Sequence, residues 1–319
     1  MSTPWAASAA RRNQLIDALR FVAIAMVVLT HVLNLRPEFK ELAPWLVRAM
    51  MAFNMPLFAF VSGYVLLGRE GHSALRFVRG KALVLLVPYF AWITLEMPLR
   101  GVPIGDWPAR LAWAAIDPRA GFQMWFLLVL FYAFVVFAVA RSISTSTGFT
   151  ATTGIVLAAL PLLSLPDSNL LSRLCWLYPF VVLGYLSARY RGPLRKWDAA
   201  IALVGFIAYP LLLTSGWDGV AYRMAVGASG TVALWAAFRL VSANTLFPLG
   251  WLGQRTMGVY GWQMVILPFL IVGAGWWGAT LSWILVTTVA VLLTLALERT
   301  SFTRAVFLGR WPKPSVRAV

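Results

Sequence analysis

Residues 11 to 35, RRNQLIDALRFVAIAMVVLTHVLNL, set Asp17, Arg20 and His31 into an otherwise apolar run. These residue types can handle protons and anions. An imidazole, with an unperturbed pKa of about 6.5, takes up a proton near neutral pH. A guanidinium stays charged, and a carboxylate can hold it in place. The spacing suits one helix face. Arg20 and His31 are separated by about 20° beyond three full turns and by about 16 Å of rise, so they share a stripe. Asp17 falls one turn before Arg20, where an ion pair can form, and Asn34 one turn after His31. Asp17 and Arg20 can also be read as snorkelling residues near a membrane interface. His31 is harder to explain in that way, because the register places it well along the apolar run.

Such a stripe needs a setting that tolerates it. The chain has 319 residues, 61% hydrophobic and only 12% charged, with a mean hydropathy of +0.77. A soluble chain would carry about 25% charged residues. Apolar runs long enough to cross roughly 30 Å of hydrocarbon recur throughout. The expected fold class is all-α, a polytopic membrane protein with about ten transmembrane helices near 14–35, 45–67, 82–99, 122–140, 150–165, 172–188, 198–215, 220–239, 256–273 and 279–298. A charge at mid-bilayer costs about 2.5–3.5 kcal/mol on insertion scales, so the polar stripe of the first span should face a bundle interior or a watery cavity.

The net charge of +16 fits the positive-inside rule better than nucleic-acid binding. With the N-terminus inside, most of the 27 basic residues fall in inner segments, including Arg76, Arg79, Arg191, Arg195 and Lys196. Most of the 11 acidic residues fall on the outer side. Both termini are therefore expected to be cytoplasmic, in a multi-pass protein of the inner (cytoplasmic) membrane. The basic inner rim suits anionic lipid heads. LNLRPEF follows the first apolar run with no small-residue cleavage site, which reads as a retained signal anchor. The expected division is a short N-terminal segment (1–13), one membrane domain (14–298) and a basic cytoplasmic tail (299–319). Cys175 reads as a packed apolar residue, and His72 as a surface residue in a basic loop. The few His, Cys and acidic residues lack metal-ligand spacing, so no metal is expected.

Further motifs carry a resemblance. IDALRFVAIAMVVLTH (16–31) sets His eleven residues after Arg. MPLFAFVSGYVLL (55–67), RFVRGKALVLLVPYF (76–90), MWFLLVLFYAF (124–134) and YPFVVLGYLSAR (178–189) follow. From about residue 11 to 270 the chain resembles the integral-membrane acyltransferase family 3, the sugar O-acyltransferases. One departure stands in LGQRTMGVYGWQMVIL. The family commonly has Ser, Tyr and His there, whereas this chain has Thr256, Tyr260 and Gln263, and an amide cannot titrate.

The resemblance implies transfer of an acyl group, usually acetyl, from acyl-CoA to a hydroxyl of an envelope glycan or lipid-linked sugar. His31 is then the expected general base, or the carrier of an acyl-imidazole. Arg20, kept charged by Asp17, would hold a donor phosphate or organise the cavity. Arg76 and Arg79 would take the CoA phosphates as guanidinium forks, and Ser62 would contact the donor; the alternative for the Ser62–Gly63 pair is close helix packing. Trp125 and Tyr89 read as packing aromatics. Glu96 reads as an interface anchor or a hydrogen-bond partner for a sugar. The expected partners are acyl-CoA, a glycan acceptor and membrane lipids, with no nucleic acid. A transporter or flippase of a glycan or acyl group is the alternative, since ten helices around a polar cavity also suit transport. A proton-coupled pump using Asp17 and His31 is a third.

Overall fold

The computed structural model describes residues 14–42, 44–67, 73–160, 169–215 and 219–312. Among these residues there is no strand, and helices follow one another with short connections. The helices are α1 (Gln14–Asn34), α2 (Pro37–Leu42), α3 (Pro44–Tyr64), α4 (Ala74–Leu99) and α5 (Trp107–Ala114). After them come α6 (Trp125–Ile143), α7 (Thr147–Ala159), α8 (Leu170–Arg189), the single turn α9 (Arg191–Leu194) and α10 (Asp198–Thr214). The last five are α11 (Val220–Leu240), α12 (Ala243–Gly253), α13 (Thr256–Ile266), α14 (Gly275–Leu297) and α15 (Ser301–Leu308). Side-chain caps start several of them: Ser73, Ser146, Asn169, Ser242 and Thr300 each accept a backbone N–H of the first turn.

The protein is an all-α polytopic membrane protein. Each of the ten expected spans overlaps a helix, although residues 161–165 of the fifth lie outside the described residues and the helix in the ninth ends at Ile266. Among the described residues, seven helical segments are long and apolar enough to cross a bilayer. Of the remainder, α7 has 13 residues and α13 has 11, while α11 carries Arg223 and Arg239 within its length.

The α1 helix lies at the centre. In its most apolar stretch 61% of residues are buried, against 17% in the segment that contains α10. It packs on α3, α12, α13 and α14. Around this core, α3 meets α8 and α11, α8 meets α6 and α7, and α6 meets α4. The α3–α8 crossing is a backbone contact. A Cβ on Gly63 would collide with the Val181 carbonyl, and one on Gly184 with the Phe60 carbonyl. Small residues permit this approach where lipid supplies no hydrophobic drive between helices.

Two elements depart from the expected layout. The stretch 240–255, expected as a loop, contains α12, which packs against the start of α1. Eleven residues are too few to span a membrane, so hydropathy over span-length windows does not reveal it. Residues 301–308, within the expected tail, form α15 against α4. There the Trp92 indole donates to the Phe307 carbonyl at 3.0 Å and the Trp311 indole to the Leu83 carbonyl at 2.9 Å.

Candidate active site

At the start of α1, Asp17 is buried and its Oδ1 accepts from Arg20 Nη1 at 2.8 Å. The i,i+3 spacing makes this pair local. Tertiary packing then encloses it. Gly253 of α12 lies against the Asp17 carbonyl so closely that a Cβ there would collide with it, and Gly250 is equally close to the Gln14 side chain. Behind α12, Glu298 at the end of α14 joins two arginines. Arg310 Nη1 lies 2.6 Å from its Oε1, and Arg255 Nη2 lies 3.4 Å from its Oε2. Arg310 also donates to the Gln254 carbonyl.

Farther along α1, His31 is partly buried, and among the described residues its ring makes no hydrogen bond. By helical register it lies within about 40° of Asp17. Asn34, the last residue of the expected stripe, is exposed.

Just beyond it, Arg36 is a residue that sequence reasoning left among loop charges. It is buried and locks the end of α1 to the start of α14. Its guanidinium donates to the Val272 carbonyl at 2.6 Å, Ser282 Oγ at 3.0 Å and the Gly273 carbonyl at 3.1 Å, with Glu38 at 3.3 Å. Apart from Glu38, these acceptors lie more than 230 positions away, so no local pattern could have pointed to them.

The other expected donor-binding residues stand apart from this stripe. Arg76 and Arg79 lie in the first turns of α4 with exposed side chains. Ser62 is partly buried, one residue before the Gly63 contact. His72 lies outside the described residues, and Cys175 is a buried free thiol within α8.

A second polar group gathers near the far ends of α4 and α13. Glu96 is 2% exposed; Arg100 donates to its Oε2 from Nε and lies 3.1 Å away through Nη2, while Oε1 is buried with no partner. The Tyr260 hydroxyl donates to the Gln123 carbonyl. Gln263, one turn farther on, is fully buried with neither amide atom hydrogen-bonded. Tyr89 donates to the Ala114 carbonyl at 2.7 Å, and the ring of Trp125 lies 4.2 Å from the Arg173 guanidinium.

The segment Pro118–Met124, a 3₁₀ turn, closes over this group. Its Phe122 holds a φ of 50°, a strained conformation for a side chain of this size. The guanidiniums of Arg100 and Arg110 each lie 4.6 Å from the Phe122 ring centroid. At the start of the turn, Arg119 forks back onto Asp117 at 2.6–3.0 Å, and these bonds hold the Asp117 carboxyl well below the usual carboxylate range. An apolar groove of about 510 Å³ between α10 and α11, lined by residues such as Trp197, Ile201 and Val232, includes none of these side chains.

The family model of an acyltransferase domain matches residues 13–299, nearly the whole described bundle. The chain belongs to acyltransferase family 3. No curated protein and no solved structure matches it. As a member of that family the protein is a membrane acyltransferase, and the match runs from the residue before α1 through α14. Both polar groups, around Asp17 and around Glu96, therefore fall within the acyltransferase domain.

Proposed function

We propose that this acyltransferase moves an acyl group, acetyl in the first instance, from cytosolic acyl-CoA to a hydroxyl of an envelope glycan or lipid-linked sugar at the inner membrane. His31 is the general base. The observation that carries the reading is the ring of His31, partly buried in the central helix and with no hydrogen bond from any described residue. A ring nitrogen that no protein donor occupies is available to a substrate proton.

In the step itself the sugar oxygen attacks the thioester carbonyl while its proton passes to the imidazole. The tetrahedral intermediate collapses with cleavage of the C–S bond. The imidazolium returns the proton to the departing thiolate, giving the ester and free CoA. Arg20, held by Asp17 at 2.8 Å, remains charged on the same stripe and holds a donor phosphate or organises the cavity. Arg76 and Arg79, exposed at the start of α4, receive the anionic nucleotide end of the donor, and Ser62 lies along its path.

The test uses the protein in nanodiscs with labelled acetyl-CoA and an envelope-glycan extract. Wild type releases CoA and labels glycan. His31→Ala folds and loses about 10²- to 10⁴-fold of that rate, the range general-base removal costs. Arg76→Ala with Arg79→Ala raises the KM for acetyl-CoA. A His31→Ala protein as active as wild type would overturn the reading and favour transport.

A further inference from the structure

We propose that the cluster around Glu96 is the acceptor subsite and that it selects an acidic sugar, with a hydroxyl donating to Glu96 Oε1 and the acidic group held by Arg110 and Arg173. This rests on the acyltransferase reading above and names the substrate class it would serve.

The argument begins with an unused acceptor. Glu96 sits at 2% exposure with Oε2 taken by Arg100 and Oε1 bare. A buried polar atom left without a partner is costly and calls for a reason. Carboxylate oxygens accept and do not donate, so the missing partner is a donor such as a sugar hydroxyl.

Charge supplies the second observation. Four guanidiniums surround two carboxylates in this region, and both carboxylates are spent: Glu96 on Arg100 and Asp117 on Arg119. Arg110 and Arg173 make no ion pair with a carboxylate among the described residues. They contact only aromatic faces, Phe122 at 4.6 Å and Trp125 at 4.2 Å. Arg110 Nε is buried with no hydrogen-bond partner. Arg100, which holds Glu96, shares the Phe122 ring with Arg110, and Trp125 beneath Arg173 lies two residues after Gln123, whose carbonyl takes the Tyr260 hydroxyl. The unused acceptor and the two surplus cations thus belong to one neighbourhood, assembled from α4, α5, α8 and α13. A ligand that fills both needs offers a hydroxyl and an anion together. A uronate offers these, and so does a sugar joined to a lipid through phosphate. Stacked guanidiniums with free N–H groups suit either anion.

Two measurements test this, both on the full chain in nanodiscs. The first needs no variant and no turnover: stabilisation against heat by glucuronate, glucose 1-phosphate or glucose. The two acidic sugars should stabilise more than glucose, with the difference shrinking as salt rises. Equal stabilisation by all three overturns the proposal. Whichever acidic sugar is stronger identifies the anion as carboxylate or phosphate.

The second follows acetyl transfer to acidic and neutral acceptors. Arg110→Gln with Arg173→Gln should raise the KM for the acidic acceptor by about tenfold, the worth of a lost charge-assisted contact, and leave the neutral acceptor's KM in place. Glu96→Gln should raise both. A double arginine variant that weakens both acceptors alike overturns the anion subsite. A wild type that binds acidic sugars preferentially but never releases CoA would leave the subsite standing and sink the acyltransferase chemistry.

Discussion

Two carboxylates at opposite ends of the bundle, Glu298 partly buried and Glu96 fully buried, show how differently one chemistry can be used. Glu298 has an arginine on each oxygen, Arg310 on Oε1 and Arg255 on Oε2. Through Arg310 and the Gln254 carbonyl it also ties the end of α14 to the junction of α12 and α13. Glu96 is buried more deeply, yet only one of its oxygens is engaged. A saturated carboxylate holds helices together. A half-used one, beside cations that have found no carboxylate, is built to receive something. The difference separates a structural centre around Glu298 and the contact of α12 with α1 from a binding centre around Glu96.

The strongest way to break this division is to disrupt the structural centre. Gly253→Ala places a methyl group against the Asp17 carbonyl, so α12 must move off α1. The expected loss is about 3 kcal/mol, at the upper end for an overpacked site. Thermal unfolding in detergent measures it, and an unchanged Tm would mean that α12 does not pack as described.

Next in size is the paired substitution. Glu298→Gln weakens two charge-assisted bonds and should cost about 2 kcal/mol, whereas Glu96→Gln, which retains an acceptor for one half-exposed arginine, should cost less than about 1 kcal/mol. Melting curves of the two variants side by side decide it. A larger loss at Glu96 would reverse the assignment of roles.

The smallest effect is at Asp117, whose pKa is depressed by Arg119. A depressed carboxylate adds stability above its unfolded pKa of about 4, and that stability disappears as pH falls through the lower folded value. Wild type should therefore melt slightly above Asp117→Asn at neutral pH, with the gap closing below about pH 4. A gap that persists at low pH would show that the pair is not its source.

Some of the site was legible in the residues. Asp17 and Arg20 meet because i,i+3 spacing on a helix is a local property, and the bundle confirms the pair at 2.8 Å. The register of His31 on the same face follows from the helical period. Arg36 was not legible, since apart from Glu38 its acceptors are carbonyls and a serine across the bundle, and a backbone carbonyl leaves no mark in residue type. Nor was α12, whose eleven residues carry no span-length signal. Glu96 was visible as a residue near the end of a span but not as a half-satisfied one. Whether each oxygen finds a partner depends on where α5, the Phe122 turn and α13 come to rest.

By itself the sequence determined an all-α membrane bundle, because long apolar runs must satisfy their backbone hydrogen bonds internally once in lipid. It also determined the acyltransferase motifs and the polar stripe on α1, both written in local spacing. The tertiary structure alone decided that α1 is central, that glycines bring α12 onto Asp17, and that Glu96, Arg110, Arg173 and Tyr260 gather in one place. Those relations join side chains far apart in the chain. They depend on how helix surfaces fit together, and local periodicity carries no record of that fit.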